Sequence, residues 1–152
     1  MDYKSLGEVC EIIGGGTPSK RVDEYYGGHI LWTTVGDMQG DFVIDTKLKI
    51  TESGLLNSST NIIPENSVII ATRVGLGKVC ILKKDAAINQ DLKGIIPKNQ
   101  NYISNRYLFY WFKSISQDII NAGTGATVQG VKLPFVKNLP FPNTSIAEQK
   151  QI

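Results

Sequence analysis

Histidine and cysteine are almost missing from this chain. Its 152 residues hold one histidine, His29, and two cysteines, Cys10 and Cys80. The cysteines lie far apart among apolar neighbours and make no C-x-x-C pair, so a structural zinc site has no ligand set to build on. They read as small buried thiols in a reducing compartment. No apolar run approaches the ~20 residues that cross a bilayer. The N-terminus, MDYKSLGEVC, lacks the basic start, apolar stretch and cleavage site of a secretory signal. A soluble, cytoplasmic protein with no membrane partner is the expectation.

Catalytic signatures are equally scarce. Gly75-Leu76-Gly77-Lys78 lacks the spacing of a phosphate loop, and Val79 stands where that loop needs Ser or Thr. Gly14-Gly15-Gly16 runs into Thr17-Pro18 and not into an apolar helix, which argues against a dinucleotide fingerprint. There is no G-x-S-x-G, and nucleophilic catalysis has little support. Asp37, Asp41 and Asp45 are spaced four apart but lack the glycine and terminal glutamate of a calcium loop, so they read as solvated loop acids. No cofactor is expected.

What is present suits one globular domain with a real core: 41% hydrophobic residues, 20% charged, and a net charge of +2. That mild basicity permits nucleic-acid binding through a local patch without demanding it. The stretch from Ile63 to Pro97 organises the rest. It is apolar enough for core, yet Thr72-Arg73, Lys78, Asn89-Gln90-Asp91 and Lys93 interrupt it. Residues 67–82 read as a hairpin about a glycine turn, with Val68–Ala71 buried on both faces. Ala86–Ile88 and Lys93–Pro97 are two further strands. Upstream, Leu6–Ile13 reads as a short strand or entry segment, His29–Val35 as a strand, and Phe42–Ile44 and Leu48–Ile50 as two short ones. Thr51 is placed to cap a short helix over 51–57.

One helix is clear, about 104–122. Leu108, Trp111, Phe112, Ile115 and Ile119 fall on one stripe, and Gly123 is placed as its C′ residue. Residues 128–141 read as irregular and broken by proline. Ser145-Ile146-Ala147-Glu148 then has the capping-box pattern of a helix start, about seven residues before the sequence stops. Such a helix is marginal alone. The expectation is one module of a longer chain, or a short form that needs a partner. The expected fold is α+β: a twisted, mainly antiparallel β-sheet system, the packed helix at 104–122 and the start of a C-terminal helix.

Five polar loops remain beside this core: 14–21, 33–40, 72–78, 88–93 and 123–132. They carry the residue types that read DNA. Arg and Lys can address guanine O6 and N7 or phosphate, Asn and Gln can address adenine N6 and N7, and Thr and backbone N–H groups suit phosphate oxygens. Such residues fill most loops, so composition alone leaves the function open.

The order of motifs narrows it. The chain runs through Leu6-Gly7-Glu8-Val9, Gly16-Thr17-Pro18-Ser19, Trp32-Thr33-Thr34 with Asp37, and Ile50–Leu55. Pro64–Ile69, Ala71–Gly75, Ile88–Asp91, Gly123–Thr127, Leu139–Pro142 and Glu148-Gln149-Lys150 follow. That series resembles the target recognition domain of the specificity subunit of type I restriction-modification enzymes, over nearly the whole chain. The resemblance implies a non-catalytic reader of one half of a bipartite double-stranded DNA sequence. It also implies a division into a recognition domain, 1–143, and the start of a spacer helix, 144–152. The partners it implies are methylation and restriction subunits and a second recognition domain, in the same chain or in a dimer. A protein-interaction module that does not bind DNA, or a DNA-acting enzyme domain, are the other classes.

Within the loops, Arg73, Lys78, Gln90, Lys93 and Lys20 are the expected contacts to base edges or phosphates, with Thr17, Thr33, Thr124 and Thr127 as further contacts. Glycine-containing loops are expected to approach the DNA backbone. For Arg73 a salt bridge to Asp91 or Glu65 stands beside DNA contact. For Gln90 the other reading is a buried amide that satisfies backbone groups. Trp32 reads as core.

Overall fold

A computed structural model describes residues 2–124 and 130–151. Its strands and helices, in chain order, are β1 (Tyr3–Ser5), α1 (Leu6–Val9), β2 (Cys10–Gly14), β3 (Tyr26–Thr33), β4 (Phe42–Val43), β5 (Leu48–Ile50), α2 (Glu52–Leu56), β6 (Ile62–Ile63), β7 (Val68–Ala71), β8 (Val79–Leu82), β9 (Ala86–Ile88), β10 (Leu92–Pro97), α3 (Asn105–Gly123), α4 (Leu133–Lys137), β11 (Pro140–Pro142) and α5 (Ile146–Gln149).

The strands form a five-stranded sheet ordered β2-β10-β7-β8-β4, a four-stranded sheet ordered β5-β3-β9-β6, and a β1-β11 pair. Pairings are antiparallel except β3 with β9 and β4 with β8. The architecture is α+β and mainly antiparallel, as the sequence predicts. Strand β7 lies at its centre. Val68 and Ile70 face a core shared with Leu108, Phe109 and Phe112 of α3. Ile69 and Ala71 face a second core shared with Leu31, Ile63 and Ile88 of the other sheet. All four β7 side chains are buried because each face of the strand meets apolar partners. Trp32, Ile50 and Ala87 line the far face of the four-stranded sheet, with Leu55 of α2 against them. The order of layers is α3, sheet, sheet, α2. Each fully buried Ile, Leu or Phe contributes roughly 1.5–3 kcal/mol relative to exposure.

Several local expectations change. Of Leu6–Ile13, read as a short strand or entry segment, Leu6–Val9 forms a helical turn and Cys10–Ile13 lies in β2. Ala86–Ile88 and Leu92–Pro97, adjacent in sequence, go to different sheets. Gly123 is the last residue of α3, not its C′ residue. A Cβ there would come 2.2 Å from Leu76 Cδ2, so the glycine serves close packing. The segment read as irregular holds α4 and β11, with proline in the first turn of α4 where its missing N–H costs nothing. Thr51 caps α2, accepting from the Gly54 N–H at 3.1 Å.

The ends of the described chain meet at one end of the molecule. β1 pairs with β11, and the Asn143 N–H donates to the Asp2 carbonyl at 2.9 Å. α5 follows directly, and Ser145 Oγ accepts from the Glu148 N–H at 3.3 Å. Gln149 is 2% exposed. Its Oε1 accepts from the Ser104 N–H at the start of α3, and its Nε2 donates to the carbonyls of Tyr102 and Thr144, all within 2.9 Å. No helix among the described residues is long and apolar enough to cross a membrane.

Candidate nucleic-acid interface

The opposite end collects the loops. Strand register puts the last residues of β2 and β7 beside the first residues of β10: Lys93 lies between Gly14 and Ile70. β3 and β9 end together at Thr33 and Ile88. Four of the five loops read from sequence therefore leave one end of the two sheets, the described part of the fifth reaches them through Val131, and hydrogen bonds stitch them to one another. The Asn89 N–H donates to the Thr33 carbonyl, the Thr72 N–H to the Asp91 carbonyl, and the Val131 N–H to the Thr72 carbonyl. Thr17 Oγ1 donates to Gln90 Oε1. These loops hold Lys20, Arg21, Arg73, Lys78, Lys93 and Lys132 against Asp37 and Asp91 alone, a net +4 where the whole chain carries +2. The basic excess of the protein is gathered on this face.

Arg73 makes the ion pair with Asp91, not Glu65. Nε and Nη2 each lie 2.7 Å from Oδ1, and the arginine side chain stays 55% exposed against 11% for the aspartate. Gln90 is exposed, and the buried amide of the Asn-Gln-Asp run belongs to Asn89, whose Oδ1 accepts from the Asp91 N–H at 3.0 Å. Lys93 is half-buried at the start of β10; desolvation lowers its pKa, nearby Asp91 opposes that, and nearby Arg73 adds to it. Lys78 is exposed beside the turn made by Gly75 and Gly77, both at positive φ. Lys20 is exposed, with Nζ 5.8 Å from the Trp32 ring centre. Thr124 is exposed, and its hydroxyl donates to the Asn121 carbonyl. Thr127 lies outside the described residues.

One expectation fails. Thr33 is fully buried, and its hydroxyl has no partner among the described residues, so it cannot reach DNA from this position. In the 14–21 loop, Gly15 and Gly16 serve close packing inward. A Cβ on Gly15 would come 2.2 Å from the Ile88 carbonyl oxygen, and one on Gly16 would come 2.0 Å from Ser59 Oγ. These glycines let the loop lie flat on β9 and the 59–60 segment. The loop is then pinned. Trp32 Nε1 donates to the Gly16 carbonyl at 3.0 Å, and the Tyr26 hydroxyl to the Pro18 carbonyl at 2.6 Å. Trp32 is core, as expected, at 2% exposure.

The loop acids are committed locally. Asp37 accepts from the Thr34 and Lys47 N–H groups, Asp41 pairs with Lys113, and Asp45 pairs with Lys49. Among the described residues no group of three His, Cys, Asp or Glu side chains could hold a metal ion. Both cysteines are buried and outside any disulfide, and burial pushes their thiols up, Cys10 to about 12 and Cys80 to about 11. Sequence reasoning passed over Arg21 and Lys132, cations of the same loops that their charge alone could have flagged, and named Gln149 only as part of the Glu148-Gln149-Lys150 motif, without its packing role.

A rigid two-sheet body with a basic face of interlocked loops is the shape of a recognition module. Comparison with known proteins specifies which kind. All of residues 1–152 match the family model described as type I restriction modification DNA specificity domain, and the chain belongs to that family. It is 37% identical over 161 residues to the specificity subunit of the type I restriction enzyme EcoR124I/EcoR124II of Escherichia coli, covering 100% of this chain and 39% of that protein. It is 31% identical over 156 residues to the specificity subunit of the MjaIX enzyme of Methanocaldococcus jannaschii, covering 99% of this chain and 36% of that protein. The chain thus spans well under half the length of these relatives. Among solved structures, the HsdS subunit from Thermoanaerobacter tengcongensis shares the fold, with a TM-score of 0.77 at 18% identity over 98% of this chain and 34% of that one. The S subunit from M. genitalium does so with a TM-score of 0.70 at 15% identity, over 98% of this chain and 36% of that one.

Proposed function

We propose that this chain recognises a specific double-stranded DNA sequence through its loop face, reading one half-site as part of the specificity component of a type I restriction-modification system. The convergence of five polar loops, with a net +4, at one end of a rigid core carries the reading. Lys20 and Lys78 contact phosphates. Arg73, Gln90 and Lys93 face base edges, Thr17 orients the Gln90 amide, and Thr124 is a secondary contact. The role is recognition without catalysis, in the cytoplasm, with methylation and restriction subunits and a second recognition domain as partners. Residues 1–143 form the recognition domain, and 144–152 begin a spacer helix that Gln149 fastens to it.

The test is binding to random-sequence duplexes across a salt series. Affinity should fall steeply with salt, and Lys20→Ala and Lys78→Ala should each flatten the log–log slope by about one. Affinity for a protein partner, with no salt-dependent binding to DNA, would refute the reading.

A further inference from the structure

Asp91 stands between two strands of the five-stranded sheet. Its N–H donates to Asn89 Oδ1, and its carbonyl accepts from the N–H of Thr72 at 2.9 Å and from Thr72 Oγ1 at 3.3 Å. Three bonds thus fix its backbone to Asn89, just past β9, and to Thr72, just past β7. Its carboxylate is nearly buried, and Arg73 approaches it with one edge only: Nε and Nη2 both reach Oδ1. A guanidinium is planar with five N–H donors. Using its side edge on Asp91 leaves the end edge, made by Nη1 and the second N–H of Nη2. Two roughly parallel donors there match O6 and N7 of guanine in the major groove.

The ion pair also offsets most of the charge that would draw Arg73 to a phosphate. Lys20 and Lys78, by contrast, make no ion pair among the described residues. An arginine held for its direction and stripped of much of its net charge suits a base edge better than a phosphate.

We propose that Asp91 is a positioning residue that holds the Arg73 guanidinium end-on to the DNA, and that Arg73 so held selects guanine at one position of the half-site. This rests on the DNA-recognition reading above. A free arginine would sample many rotamers at an entropic cost on binding; a braced one presents a single orientation.

The experiment selects duplexes from a random library with the 152-residue chain and its Asp91→Asn, Arg73→Ala and Arg73→Lys variants. Wild type should enrich one guanine that Arg73→Ala and Arg73→Lys lose by about 10-fold. Asp91→Asn should relax preference at that same position and leave the other positions unchanged. The salt slope should stay the same in Asp91→Asn. Should Asp91→Asn fail to fold by thermal unfolding, Arg73→Lys still decides, because it keeps the charge and loses the planar pair of donors on an exposed side chain.

Retention of the guanine by Arg73→Lys or by folded Asp91→Asn overturns the proposal. So does an Arg73→Ala variant that weakens every sequence equally and lowers the salt slope by about one, which marks a phosphate contact. A wild-type chain that enriches nothing strikes the DNA reading itself; enrichment indifferent to Arg73 and Asp91 strikes only this inference.

Discussion

Ser116 donates its hydroxyl hydrogen to the Gly77 carbonyl over 2.7 Å, fastening the tip of the β7–β8 loop to helix α3. The contact is close because Gly77 has no side chain. It sits at φ +92, and a Cβ there would lie 2.6 Å from Ile120 Cγ1 and 2.9 Å from Ser116 Oγ.

Gly77→Ala should therefore cost roughly 1–3 kcal/mol, from the left-handed backbone and the overpacking together. Gly27→Ala is the control. It shares positive φ, at +81, but meets nothing within 4 Å. Its cost should be that of the backbone alone, about 1 kcal/mol. Urea denaturation of the two variants measures the difference.

Thr33→Val should leave DNA affinity unchanged. It should also hold or raise stability, by up to about 1 kcal/mol, because it removes a buried hydroxyl with no partner among the described residues. Loss of DNA binding with stability intact would show that the hydroxyl becomes exposed when DNA is bound.

Gln149→Ala should be one of the costly polar substitutions. It breaks three hydrogen bonds at a site 2% exposed and leaves the Tyr102 and Thr144 carbonyls without that partner. The expected loss is roughly 2–4 kcal/mol. Lys150→Ala next to it, at an exposed position, should stay within about 0.5 kcal/mol. Thermal unfolding followed by circular dichroism separates the two.

Lys93 gives a pH signature. Burial sets its folded pKa below the ordinary lysine value of 10.5. Between those two values the unfolded chain holds a proton that the folded chain has released, so raising pH through that window stabilises the fold. The penalty of burying the charge is complete below the window. Lys93→Met should therefore gain stability over wild type at pH 8, and the gain should shrink as pH approaches 10.5. DNA affinity has the opposite sign: it should fall as Lys93 loses its proton. Paired denaturation curves at several pH values check the first, and binding titrations the second.

The parts of the fold legible in the sequence are those set by local periodicity. The α3 stripe and the 67–82 hairpin need only neighbouring residues to declare themselves. The separation of Ala86–Ile88 from Leu92–Pro97 into different sheets does not, because β9 pairs in parallel with β3, more than fifty residues upstream. The candidate site divides the same way. Residue chemistry pointed to Arg73, Lys78 and Lys93, and they do share a face. It misjudged Thr33, because a threonine at a strand end shows the same letters whether it faces solvent or core. It also set Gln90 against a buried-amide role that its neighbour Asn89 fills. Gly15 and Gly16 signalled close approach correctly, but the surfaces they approach are β9 and Ser59.

The pairing of β1 with β11 has an engineering consequence. Residues 2 and 143 are joined by a hydrogen bond, so polypeptide attached at either place departs from one spot, on the far side from the loop face. A circular permutant that bridges them with a few residues and opens a new terminus in an exposed turn should keep the same topology, less the roughly 2–4 kcal/mol that Gln149 supplies from the removed α5. In the same way, this body could be grafted into a host protein at a single surface position, a two-ended plug whose working face points away from its socket.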